Sequence, residues 1–136
     1  MSQRKRSLHP HPALFWQLRQ SIDYWSVPHF LLGTLVAMVV RVFEYPAVPL
    51  FFITLLVAVL WEVFEMRVRI RESRINVISD IVLPLLAYVL TLWLTTSQAM
   101  RHEQLVALLD VTIITYALVS YAAWRARFDR DPDFQG

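Results

Sequence analysis

At 136 residues the chain has room for one domain. Hydrophobic residues make up 57% of it and charged residues 18%, with a mean hydropathy of +0.45; so little charge could not cover so much apolar side chain in water, and the class is integral membrane protein. The net charge of +2 hides clustered Arg and Lys without a basic, aromatic-interleaved stripe, which argues against nucleic acid as a partner, and the absence of Cys excludes disulfides, thiolate metal sites and cysteine nucleophiles.

Residues 1–12 read as a mobile basic tail: Arg4-Lys5-Arg6, then His9-Pro10-His11-Pro12. No apolar stretch follows the basic triplet, so no cleavable signal peptide is expected. Two histidines in such a tail have the chemistry to bind a metal, although solvation is their ordinary state. Across 13–26, Leu14, Phe15, Leu18, Ile22 and Trp25 recur at helical spacing among Gln17, Arg19, Gln20 and Asp23. That segment is too short and polar to span, and reads as an amphipathic helix lying at the membrane interface. A first span is expected over 27–43, with Ser26 as N-cap, Pro28 tolerated in the first turn, and Gly33, Thr34 and Ala37 as a small-residue stripe for close helix approach. Glu44 to Pro49 holds the turn. The second span, 47–66, ends at the loop arginines Arg67, Arg69, Arg71 and Arg74. A third follows over 76–95, a polar turn to Gln104, and a fourth over 105–124, leaving a charged tail, 125–136. The fold class is therefore all-α, a four-helix transmembrane bundle, each span about 20 residues for a core of about 30 Å.

The count of Arg and Lys sets the orientation. The N-terminal segment, the second-to-third loop and the C-terminal tail hold four, four and three, against Arg41 and Arg101 on the opposite side. By the positive-inside rule both termini are expected in the cytoplasm.

That topology brings polar residues to one depth, just inside the cytoplasmic interface. His29 stands in the first turn of the first span, Glu62 and Glu65 in the last turns of the second, and Asn76, Ser79 and Asp80 at the start of the third. Glu62 and Glu65 are spaced i, i+3, and Asn76 and Asp80 i, i+4, so each pair shares a helix face. Pro84 denies the Asp80 carbonyl an intrahelical donor, and a kink is expected there. Taken singly, most have an ordinary reading: Glu65 paired with Arg69, Asp80 with a loop arginine, Asn76 as an N-cap, His29 at headgroup level. Glu62 resists it, being deeper, beside Trp61 and without a basic residue four positions on. Carboxylates near hydrocarbon are costly enough to read as a site. At the other side, Arg41 and Asp110 lie at comparable depth, and their simplest role is a structural ion pair.

His29-Phe30-x-x-Gly33, Trp61-Glu62-x-x-Glu65 and Asn76-x-x-Ser79-Asp80 together resemble the VanZ-like group of small bacterial membrane proteins, in particular its YjdF-like branches with a WE-x-x-E segment. The resemblance covers residues 27 to 90. It departs from the VanZ pattern at Glu65, where Gln is usual, and at Pro84, where Asn is usual. It implies a bacterial inner-membrane protein with polar residues at His29, Glu62, Glu65, Asn76 and Asp80.

Two functions compete. In the first, the cluster binds or processes a lipid headgroup or a divalent cation: Glu62 or Glu65 is base or metal ligand, His29 and Asp80 are partners, and Asn76, Arg71 and Arg74 bind substrate, the arginines through its phosphate. In the second, the chain is a non-catalytic accessory or assembly subunit that packs on other membrane proteins or on itself. A transporter is disfavoured, because four helices are few and their deep middle lacks ionisable residues.

Overall fold

A computed structural model describes residues 26–67 and 74–130. They form four helices, α1 (Ser26–Phe43), α2 (Ala47–Arg67), α3 (Arg74–Ser97) and α4 (His102–Arg130), and all four are long and apolar enough to cross a membrane. The expected tail and interfacial helix over 1–25, and the loop residues Arg69 and Arg71, lie outside the described residues.

α2 and α3 each bury one face. On α2 the inward residues are Thr54, Ala58, Glu62 and Glu65; on α3 they include Asn76, Asp80, Pro84 and Ala87. Both stripes step by three or four residues, the period of an α-helix face. Outside them the helices show large apolar side chains such as Phe52, Leu60, Val82 and Leu118, as lipid-facing surfaces do. α1 is the central element, packed against all three others, and it buries two stripes. Ser26, His29, Gly33 and Ala37 face α2 and α3, whereas Met38 and Val42 pack with Leu105 and Leu109 of α4.

The closest approach is between α1 and α3. A Cβ added at Gly33 would overlap the backbone carbonyl of Pro84, so the small-residue stripe brings backbone against backbone, as helix association in lipid favours. α3 continues through Pro84 as one helix. Further along, Tyr88 packs with Ala37 and Val40, and its hydroxyl donates to the Ala47 carbonyl at 2.6 Å, tying the start of α2 to α3.

Helix ends differ from the sequence reading in three places. Ser26 is itself helical rather than the residue before the helix. α4 begins at His102, because Gln104 Oε1 accepts from the Arg101 backbone N–H at 3.0 Å, the reach-back half of a capping box. It also runs past 124 to Arg130, since the Ala- and Arg-rich sequence there has no Gly or Pro to stop it. The α1–α2 turn closes with the Tyr45 N–H on the Val40 carbonyl and Glu44 at φ 56°, a left-handed cap on a non-glycine residue.

Candidate metal centre

The packing that joins Gly33 to Pro84 decides where the polar residues meet. His29 lies one turn before Gly33 on α1, and Asp80 one turn before Pro84 on α3. α2 runs back toward the same end and delivers Glu62. One ligand atom each from His29, Glu62 and Asp80 lie within 4.8 Å of one another, and all three residues are buried; Asp80 is 1% exposed and Glu62 3%. Three helices thus contribute one ligating group each.

The carboxylate of Asp80 is held on both oxygens. Asn76 Nδ2 donates to Oδ2 at 2.9 Å and the Ser26 hydroxyl donates to Oδ1 at 3.4 Å. Asn76 therefore faces its helix neighbour one turn on and helps to hold the Asp80 carboxylate. Ser26, expected only as a cap, is a site residue that its position in the sequence signalled just as the first hydroxyl of the span. Glu65 is buried one turn from Glu62, on the same inward face but outside the three-residue group. Arg74 is exposed at the start of α3, and Arg71 lies outside the described residues.

Chemically the group suits a cation. A neutral imidazole nitrogen and two carboxylates match the donors that Mn²⁺, Fe²⁺ and Zn²⁺ accept. Such ions hold their ligands at about 2.0–2.2 Å, which places ligand atoms roughly 3–3.6 Å apart around the ion; a 4.8 Å limit leaves small side-chain rotations to close it. Two carboxylates also balance a divalent charge, which offsets the cost of keeping them in a buried, low-dielectric place. The hydrogen bonds to Asp80 are the outer support that aims a ligating carboxylate.

At the opposite end the expected ion pair does not form. Arg41 Nε is buried without a hydrogen-bond partner among the described residues, and Asp110 is exposed. The ion pair described at that end joins Arg101 to Glu103 at 3.8 Å on the exposed surface. The reason is helix phase. Leu105 and Leu109 point at α1, and the next residue, Asp110, is turned about 100° away from them.

No family model matches the chain, and no match arises among curated proteins or solved structures. The geometry alone carries the functional argument.

Proposed function

We propose that the chain is a bacterial inner-membrane protein of the VanZ-like kind, with both termini cytoplasmic, that holds a divalent cation on His29, Glu62 and Asp80 and uses it on a lipid headgroup. The observation that carries this reading is the meeting of three buried ligating groups from three helices. Three ligands leave coordination positions open for water or a phosphate oxygen, as in catalytic metal sites. In this reading Asn76 and Ser26 orient Asp80, and Glu65, one turn from Glu62 on the same inward face, would be the neighbouring carboxylate able to take up a proton. Arg74 would meet the phosphate as an exposed charge at the start of α3. Elemental analysis of detergent-purified protein is expected to find about one divalent ion per chain, as a single three-ligand centre requires, and to find it lost in Glu62→Gln and Asp80→Asn. A parent protein that neither carries nor takes up Mn²⁺, Fe²⁺ or Zn²⁺ would end this reading.

One observation favours the second reading, an accessory subunit. Asp110 is exposed two turns into an apolar span, and a carboxylate facing hydrocarbon calls for a neighbour that offers it a donor or a positive charge. Native gels of mildly solubilised membranes test it: co-migration of the chain with a larger assembly, lost in Asp110→Leu, supports it, and migration as the free chain opposes it.

A further inference from the structure

A cleft of about 250 Å³ opens beside the cluster, between α1, α2 and α4. Pro28 and His29 line it from α1, Val57 and Trp61 from α2, and Ser120 and Trp124 from α4. Its volume falls just under the ordinary range for small-molecule pockets, room for part of a larger molecule rather than a whole one. Most of the wall is apolar or aromatic. Two atoms in it are not: the indole Nε1 of Trp61 and the hydroxyl of Ser120 are both buried and have no hydrogen-bond partner among the described residues.

Buried polar atoms are nearly always satisfied, and one left alone asks what satisfies it. An indole N–H only donates, so its missing partner is an acceptor oxygen; the serine hydroxyl can donate to the same oxygen or to a second one. The occupant therefore carries one or two acceptor oxygens within an otherwise apolar body. His29 belongs both to this wall and to the three-residue cluster, so the polar end of the occupant adjoins that cluster. The cleft sits in a span, with exposed Val57 at its margin, and the facing helices α2 and α4 meet across it through the edge contact of Trp61 and Trp124, ring centres 6.3 Å apart. The bilayer is the source that this position faces. An acyl ester of a glycerophospholipid has the required pattern: a hydrocarbon chain, then a carbonyl oxygen, then a phosphate.

We infer that this cleft seats the ester region of a membrane glycerophospholipid, its carbonyl oxygen on the Trp61 N–H and the Ser120 hydroxyl and its phosphate toward the His29–Glu62–Asp80 cluster. The phosphate end rests on the cation reading above; the ester end stands on the cleft itself. Native mass spectrometry of the purified full chain, titrated with dioleoyl phosphatidylglycerol and with its dioleyl ether analogue, tests both. The parent should bind one ester lipid about two- to tenfold more tightly than the ether lipid, the range expected for one hydrogen bond. Trp61→Phe, which keeps a ring and removes the N–H, should bind the two lipids alike. Ser120→Ala should narrow the preference while leaving the tryptophan in place, and it decides the matter if Trp61→Phe fails to fold. Val57→Phe, which narrows the margin, should weaken both lipids. Equal binding of ester and ether lipids by the parent, or a preference unchanged in the folded variants, overturns the inference. Adding Mn²⁺ or a chelator separates the two readings: an ester preference that depends on Trp61 in a chain that binds no cation leaves the cleft standing and removes the metal, whereas cation binding without that preference does the reverse.

Discussion

The two ends of the bundle contain similar residues and use them differently. At the Glu62 end, His29, Glu62 and Asp80 are buried and meet. At the Arg41 end, Arg41, Glu44, His102 and Asp110 are ionisable as well, and Glu44, His102 and Asp110 are exposed. A hollow of about 500 Å³ opens at the Arg41 end, lined by Arg41, Glu44 and His102 among others. Space and charge at one depth are therefore not enough to make a site. At the Glu62 end each of the three shares its helix face with the residues that pack: Glu62 with Ala58 and Thr54, Asp80 with Pro84 and Ala87, His29 with Gly33 and Ala37. Asp110 is out of phase with Leu105 and Leu109, and packing turns it outward.

The largest effect should come from the contact that sets the site. Gly33→Val forces a side chain into the Pro84 carbonyl and should cost at least about 3 kcal/mol, seen as lost folding or a collapsed melting temperature in detergent. Ala107→Val, on the exposed face of α4, should change stability by less than about 0.5 kcal/mol. Equal tolerance of both would deny that α1 and α3 meet backbone to backbone.

Next in size is the removal of a carboxylate at each end. Asp80→Ala leaves the Asn76 amide and the Ser26 hydroxyl without their acceptor, and should cost about 1–3 kcal/mol in a thermal melt. Asp110→Ala takes a charge off a lipid-facing surface and should be neutral or stabilising when the chain is studied alone. A reversed order would mean that Asp110, not Asp80, is the buried partner.

Double-mutant cycles sharpen the contrast further. Asn76→Ala with Asp80→Ala should show a coupling of at least about 0.5 kcal/mol, as residues in contact do, and Arg41→Leu with Asp110→Leu should be additive within about 0.5 kcal/mol. Strong coupling of Arg41 to Asp110 would restore the ion pair. The smallest effect belongs to the turn at the Arg41 end: Glu44→Gly relieves a left-handed residue and should gain up to about 1 kcal/mol.

These pairs also explain what the sequence made legible. The four spans followed from runs of apolar residues, and their lengths from bilayer thickness. His29, Glu62 and Asp80 were legible because depth and helix face agreed for each of them. Arg41 and Asp110 were matched by depth alone, and phase undid the match. The role of Ser26 needed the α1–α3 crossing, which a local pattern of Gly33, Thr34 and Ala37 signals without naming its partner. Ser120 carried no signal of its own, since one hydroxyl in an apolar helix ordinarily bonds back to its own backbone, as Thr112 does to Leu108 at 2.7 Å.

The crossing of Gly33 over Pro84 has a mechanical side. Backbone touching backbone cannot be squeezed, and His29 and Asp80 each stand four residues, about 6 Å, from it, so they behave as the two fixed jaws of a calliper. Glu62 comes from the third side. The start of its helix is fastened to α3 by the Tyr88 hydroxyl at Ala47, fifteen residues or about 22 Å away, and buried Thr54 and Ala58 carry the packing from that fastening to the cluster. The position of Glu62 opposite the two jaws is therefore set by the same inward stripe that holds α2 in the bundle.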